Sequence, residues 1–455
     1  DLHATFKSGV TLPLAKRERE LRALRCLLED NKDAICDALY TDLGRTRAEA
    51  EFYDFFLPRS NIKQLIGNLR RWTATQGVRE TSLFTFPSSQ CVIKEPYGVA
   101  LVIGTWNYPF MLSLIPLAGA IAAGNCVLLK PCNVARASAK LQASLVRKYL
   151  DPKVVTVVGP EMEGDRETIA ELLDQKFDVA FFTGSPAVGR IVAAKCGARL
   201  TPCTLELGGK NPVIVTADAD VQLAAKYVVW GRFMNSGQQC ISPDYVLCSA
   251  AVVDEFLAEC AAAVASMYPH PSEPGAFGRM VNDKQVARLE SVMAAHGGEV
   301  ICGGKIDKVS RFVEPTVVKV SLGSSLMQEE IFGPILPVCS IPDLNTAIDI
   351  IQHRAKPLAL YLFSSRWQTH RKVLKHTSAG GVTINGTLYH AAHPSLPFGG
   401  VGESGWGAYH GQHTIECFQH NKPCLKKSGW LDLPFFTVPP WTTNKLRILR
   451  CVASV

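Results

Sequence analysis

The chain has 455 residues, 47% hydrophobic and 20% charged. That is length for two or three domains and the composition of an ordinary globular protein, not a disordered or fibrous one. It contains no apolar run long enough to span a bilayer, so no transmembrane helix is expected. Of the net charge of +7, +5 falls in the last 34 residues, where Lys422, Lys426, Lys427, Lys445, Arg447 and Arg450 outnumber the single acid Asp432. The nearly neutral body argues against nucleic acid as a partner and directs attention to the tail.

The fifteen cysteines are scattered, odd in number and often set in apolar segments, as at Cys126, Cys248 and Cys339. No paired CxxC or Cys/His ligand spacing occurs, so no metal site is expected. This is cysteine usage of a reducing compartment, with most thiols serving as small core residues. The first residues, Asp1 to Leu12, lack the basic and apolar pattern of a signal peptide. A cytoplasmic location is the expectation.

In chain order, Lys16 to Tyr53 carries apolar residues at helical spacing (Leu21, Leu24, Leu27, Leu28, Ile35, Leu39), which predicts two amphipathic helices, and a third follows at Ile62 to Trp72. Phe84 to Ile93 is polar and irregular and reads as a strand or hairpin. From Gly98 short apolar runs alternate with helical stretches. Strands are expected at 99–103, 126–130, 154–158, 179–182 and 204–207, with helices at 110–123, 135–149, 167–173 and 187–195 between them. Fully apolar strands separated by helices imply a parallel sheet covered on both faces, in a Rossmann-like nucleotide-binding layout.

A second alternation starts at Asn211, with strands at 213–215, 245–247, 316–320, 337–341 and 358–363, helices at 223–233, 252–267, 283–295 and 346–352, and Gly380 to Asn385 closing it. The segment from Pro397 to Gly402, together with the residues just after it, is too rich in glycine for regular structure and is expected to wrap over another element or subunit. The predicted fold is therefore α/β: a Rossmann-like parallel-sheet cofactor domain (1–83 and 98–207), a second α/β catalytic domain (208–385), a small β oligomerisation element (84–97 and 386–425) and a basic tail (426–455).

Cys240 ends the polar, glycine-containing segment Asn235 to Gln239, which suits neither helix nor buried strand, and so reads as a presented thiol. Glu206 lies between Leu205 and Leu207, where an acid needs a partner or a raised pKa. A thiol is mostly protonated at neutral pH and benefits from a nearby base or positive potential, so the pair suggests covalent catalysis. Asn107, on the turn after the first sheet strand, can donate to a developing oxyanion. Phe182 to Gly189 supplies a strand, a glycine turn and a proline at a helix start, as phosphate binding requires, and Lys130 ends the neighbouring strand. Taken singly, Cys240, Glu206 and Asn107 read more readily as a core thiol, a paired core acid and a turn asparagine, the glycine turn reads equally as a simple turn, and Lys130 also reads as a solvated strand end.

Together, Gly104-Thr105-Trp106-Asn107, Phe182-Thr183-Gly184-Ser185, Leu205 to Pro212, Gly237-Gln238-Gln239-Cys240, Glu329 to Pro334 and Pro397 to Gly402 resemble the aldehyde dehydrogenases in order and spacing over nearly the whole chain. Lys130-Pro131 with Asn133, and Tyr409-His410-Gly411, resemble the class 3 branch, whose members act on medium-chain, long-chain and aromatic aldehydes. The basic C-terminal extension is similar to that of its B subgroup.

The resemblance implies that Cys240 attacks the aldehyde, that the oxyanion is held by Asn107 and the Cys240 backbone N–H, and that Glu206 activates the hydrolytic water. It further implies NAD or NADP as cofactor, with Gly184, Ser185 and Gly189 at the pyrophosphate, Lys130 at the adenosine ribose, and Glu330 and Phe332 at the nicotinamide ribose. A homodimer is implied, formed through the strands around 84–93 and Lys422.

Asn133 stands where many relatives have glutamate, which removes repulsion against a 2′-phosphate and favours acceptance of NADP. Gln239 is longer than the residue common before the nucleophile. Cys451 is fifth from the end, so the prenylation signal is absent, while Trp441, Leu446, Ile448 and Leu449 among basic residues suit peripheral contact with anionic lipid. The alternatives are a non-catalytic binding protein on the same fold and a thiol hydrolase without redox chemistry.

Overall fold

The computed structural model describes residues 1–80, 85–159, 165–428 and 438–453. The N-terminal layer consists of helices Leu14–Asp30, Lys32–Leu43 and Leu57–Thr73. Leu21, Leu24 and Leu28 recur at three- and four-residue spacing and are all fully buried, which is why the first of these helices turns that face inward. The expected helices are present. A short helix, Leu2–Lys7, precedes them, and a π-helical stretch, Ala50–Phe56, interposes where the sequence pattern shows no break.

Behind this layer lies a six-stranded sheet in the order Gly405–Trp406, Cys203–Leu207, Val179–Gly184, Val99–Ile103, Cys126–Lys130, Val155–Val157. The last five run parallel. Every residue of Val99–Ile103 is buried, as strands covered by helices on both faces require. From Val99–Ile103 the chain winds outward through two strands on one side, then returns to add Val179–Gly184 on the other. That reversal makes a switch point, and the turns after these strands face one crevice. Asn107, Lys130, Ser185 and Glu206 all lie at or just beyond that carboxyl edge.

The seven-stranded second sheet has the order Glu299–Cys302, Thr316–Lys319, Ile335–Ile341, Tyr245–Ser249, Pro212–Val215, Ala359–Phe363, Gly381–Ile384. It is parallel except for the first strand. Sequence reading misses Glu299–Cys302, the small ladder between Ile306–Asp307 and Phe312–Val313, and helix Trp367–His376. The first strand is half exposed and short, and the ladder strands have two residues each, so neither carries a clear period.

A third sheet joins Gln76–Gly77, Ser88–Pro96 and Gln419–Lys427. The two long strands pair with each other antiparallel over nine residues. The strand expected around 84–93 thus begins at Ser88, and residue 84 of that region lies outside the described residues.

The glycine-rich segment after Pro397 departs from expectation. Gly405–Trp406 forms regular structure, adding an antiparallel strand to the edge of Cys203–Leu207 with Gly405 opposite Glu206. Gly405 has φ 121°, and a Cβ there would meet the Leu205 carbonyl oxygen at 1.9 Å. The missing side chain permits that backbone approach. Among the described residues, no helix is long and apolar enough to cross a membrane.

Candidate active site

Helix Val221–Phe233 ends just before the cysteine segment, and the chain then passes through three left-handed residues, Asn235 (φ 51°), Ser236 (φ 53°) and Gly237 (φ 69°). A Cβ on Gly237 would meet the Gly333 carbonyl oxygen at 2.3 Å, so only glycine fits there. Such backbone is costly and persists only where its surroundings over-determine it. Here Asn235, 1% exposed, donates through Nδ2 to the carbonyl oxygens of Asn107 and Gln238, both at 3.0 Å. Gln238 donates to Asn235 O and Arg279 O and accepts from Val281 N. Downstream, Asn211 Nδ2 donates to Cys240 O at 2.8 Å and Tyr361 OH donates to Ile241 O.

The organising cation is Arg45, which sequence reading missed. It follows the left-handed Gly44 that ends helix Lys32–Leu43 and is 1% exposed. Its guanidinium donates to Asn235 Oδ1 at 2.8 and 3.1 Å, to the Asn107 carbonyl oxygen and to Asp54. Asp54, on the π-helical stretch, also accepts from Phe110 N and Met111 N, both at 2.9 Å. One buried ion pair therefore ties the N-terminal layer to the asparagine turn and the cysteine loop. Asn107 Nδ2 in turn donates to Gln238 O at 3.1 Å, leaving its second N–H for another acceptor.

Removing one partner of a buried pair costs about 3–5 kcal/mol because the other charge is stranded. Arg45→Met is expected to lower the melting temperature markedly and to loosen Asn107 and Cys240 together. Thermal denaturation alongside an alkylation assay of Cys240 checks both effects.

Cys240 is half-buried. Burial first, and then the carboxylates of Glu206 and Glu330, push its thiol up to about 12, against hydrogen bonds from its own N–H and that of Ile241. Glu206 is 3% exposed, neither carboxylate oxygen has a hydrogen-bond partner among the described residues, and burial raises its pKa well above the usual carboxylate range. An unpaired buried carboxyl is costly and characteristic of functional sites. Both carboxylates thus act on the thiol, and they raise its pKa rather than lower it.

Glu330, held up at about 8 by burial and by Asp244, accepts from Gly209 N–H. Phe332, itself left-handed (φ 45°), packs edge-to-face on Trp106 with ring centroids 5.4 Å apart. The segment is anchored by Asp244, which accepts from Ile331 N (3.0 Å), Lys210 (2.7 Å) and Arg232 (3.0 Å). Neither Asp244 nor Arg232 has a signal in the sequence beyond being charged near apolar residues.

At the switch-point edge, Ser185 caps helix Pro186–Ala198, accepting from Val188 N, and Pro186 occupies its first position. A crevice lined by Pro186, Gly189, Arg190, Leu207, Gly402 and Trp406 opens beside that helix start. Unsatisfied N–H groups at a helix start suit a pyrophosphate, and Lys130, 1% exposed, is a buried strand end rather than a solvated one. These residues fit a dinucleotide. Among the described residues no group of His, Cys, Asp and Glu side chains could hold a metal ion.

A model of the aldehyde dehydrogenase family matches residues 3–423. Aldehyde dehydrogenase family 3 member B1 of Homo sapiens is 41% identical over 451 residues, covering 98% of this chain and 95% of its own length. Aldehyde dehydrogenase family 3 member A2 of Rattus norvegicus is 40% identical over 428 residues, covering 94% and 87%. Among solved structures, the substrate-bound state of Staphylococcus aureus AldH superimposes with a TM-score of 0.95 at 37% identity, covering 99% of this chain and 97% of that one. An indole-3-acetaldehyde dehydrogenase complexed with NAD+ gives 0.85 at 25% identity, covering 94% and 87%.

Proposed function

The chain belongs to the aldehyde dehydrogenase family and oxidises aldehydes to carboxylic acids with NAD or NADP, and from that premise we propose the roles of its residues. Cys240 attacks the aldehyde carbonyl as a thiolate and forms a thiohemiacetal. The free N–H of the Asn107 amide and the Cys240 backbone N–H hold the oxyanion. A bound nicotinamide would supply the hydride acceptor, and Cys240 would then carry the acyl group as a thioester. Glu206 takes a proton from the water that hydrolyses this thioester.

Ser185, Gly184 and Gly189 hold the pyrophosphate, Lys130 the adenosine ribose, and Glu330 with Phe332 the nicotinamide ribose. The observation that carries the reading is the bond from Asn107 Nδ2 to the Gln238 carbonyl, which sets the amide two residues from the nucleophile. Asn107→Ala is expected to lower kcat about 10²–10³-fold, the usual cost of one oxyanion donor, with the fold intact by circular dichroism. Growth of reduced-nicotinamide absorbance measures it.

The substrate class we infer is medium- or long-chain and aromatic aldehydes, as in lipid-derived aldehyde metabolism. Supporting it, the helix leading into the cysteine loop carries Tyr227 and Trp230, which gather with Tyr389 at centroid distances of 5.8–6.3 Å. A chain-length series of kcat/KM tests it.

NADP is accepted besides NAD because Asn133 places no negative charge where a 2′-phosphate would lie. Asn133→Glu should reduce the NADP-to-NAD efficiency ratio roughly tenfold or more, by like-charge repulsion. An unchanged ratio would refute this role.

We infer a division at residues 207 and 385 into cofactor and catalytic domains; the separate six- and seven-stranded sheets support it, with Gly405–Trp406 joining the first sheet from beyond residue 385. Gln419–Lys427 has an edge that, among the described residues, pairs with no strand, and in a cytoplasmic homodimer it would meet the partner. Sedimentation measures that state. Helix Thr443–Ala453 exposes Leu446 and Ile448 beside Lys445, Arg447 and Arg450, with Trp441 just before it; peripheral adsorption to anionic vesicles would follow. If Cys451→Ser sediments with vesicles as the parent does, acylation is excluded as the cause.

A further inference from the structure

Cys91 and Cys424 are both free thiols, yet they stand directly opposite each other on the long strands of the three-stranded sheet. Cys91 on Ser88–Pro96 pairs in register with Cys424 on Gln419–Lys427, so their side chains leave the same face. The ladder continues with Ser428 N donating to Pro87 O at 3.1 Å. Counting in steps of two from that bond makes Cys91 and Cys424 a hydrogen-bonded pair, and puts Pro96 and Pro423, which have no N–H, on the alternate positions where none is needed.

Opposed residues in such a pair have Cα atoms about 5.5 Å apart, inside the range of about 4.4–6.8 Å that a disulfide spans. The β-carbons need approach by only roughly an ångström more. The thiols are near enough that Cys424, after burial, contributes to raising the Cys91 pKa. Cys424 is exposed and Cys91 half-buried, so a small reagent reaches the first and the second lies behind it.

Lys422 and Lys426, two residues to either side of Cys424, stand on its face of the strand. Lys422 is paired across the ladder with Glu95, while Lys426 adds positive potential where an anionic oxidant would approach.

We propose that Cys91 and Cys424 are a redox modification site, closing into a reversible disulfide by exchange with a small anionic disulfide of the oxidised-glutathione type. The Cys424 thiolate attacks one sulfur of the oxidant, forms a mixed disulfide and expels one small thiolate. Cys91, having lost its proton to solvent, then attacks the Cys424 sulfur and expels the second. Two protein thiols are oxidised, one small disulfide is reduced, and the two released thiolates take up the two protons. Burial, which holds the Cys91 thiol above its ordinary pKa, makes it the second and slower partner. The product staples the strand that leads into the basic tail to the strand that leads into the nucleotide-binding sheet, and small reducing thiols reverse it.

The test uses the full chain carrying Cys240→Ser, so that the nucleophile's own oxidation cannot interfere. It is incubated with oxidised or reduced glutathione, alkylated, and digested without reduction for mass spectrometry. The expected result is a peptide linking Cys91 to Cys424 after oxidation, lost with dithiothreitol and absent in Cys424→Ser. Limited proteolysis within Gln419–Lys427 should slow roughly tenfold in the oxidised parent only, because cleavage tracks opening of the ladder. Both thiols remaining alkylatable, a glutathione adduct stopping at Cys424, or a chain-to-chain Cys424 linkage would each overturn the proposal.

Discussion

Cys240→Ala is expected to reduce aldehyde oxidation by at least about 10⁴-fold, with no burst of reduced nicotinamide in the first turnover, since loss of a covalent nucleophile is the largest single effect in enzymes that use one. The site permits this substitution structurally. The loop's shape is set by Asn235, Gln238, Asn211 and Arg45, none of which bonds to the thiol. The melting temperature should therefore stay near the parent's, which separates a chemical loss from a folding one. With its thiol pushed up to about 12 by burial and two carboxylates, the parent without cofactor should be alkylated slowly at pH 7 and faster as pH rises. The rate should increase about tenfold per unit, because only the thiolate reacts. A rapid, pH-independent alkylation would contradict the environment described for Cys240.

Glu206→Gln is expected to produce the opposite kinetic signature. The first turnover, which ends in the thioester, should survive as a burst of about one equivalent per site. Steady-state turnover should fall roughly 10²–10⁴-fold with the general base gone. Loss of burst and turnover together would instead assign Glu206 to the acylation step.

The same substitution carries a stability prediction whose sign comes from burial. The folded-state pKa of Glu206 lies above its unfolded value, so the folded state binds the proton more tightly. Its contribution to stability is fully present below the unfolded pKa and is lost as pH rises through the folded one. Replacing the carboxyl with an amide removes that loss, so the mutant's gain in melting temperature over the parent should be larger at pH 8 than at pH 5. A gain independent of pH would mean that burial does not raise the Glu206 pKa.

The sequence makes legible the elements whose period is unambiguous and the residues whose chemistry is conspicuous. Val99–Ile103 and Cys126–Lys130 fall at their expected bounds because buried parallel strands are short, wholly apolar runs. Cys240, Glu206 and Asn107 are visible as a thiol in a polar loop, an acid between leucines and an amide on a turn. Arg45 is not visible, since an arginine after a glycine carries no sign of being 1% exposed, and its partners Asn107 and Asn235 lie in distant segments. The Gly405–Trp406 strand is hidden because two residues, one of them glycine, show neither alternation nor propensity. The nucleotide-binding and second sheets could be read from local pattern, whereas the buried polar frame around the nucleophile exists only through contacts that local pattern does not encode.

The reach of Arg45 has a consequence for how the molecule matures. Its bonds to Asn235 span 190 positions of chain, and those to Asn107 span 62. Contacts of that separation form late in folding, after the loops between them have closed. During synthesis the N-terminal layer must wait for Asn235 to emerge before the cysteine loop can take up its three left-handed residues. Partly folded chains should therefore hold Cys240 in an unset loop, without the neighbouring amide in place. Recovery of turnover in a refolding experiment should lag the recovery of helical signal and coincide with the final, longest-range step.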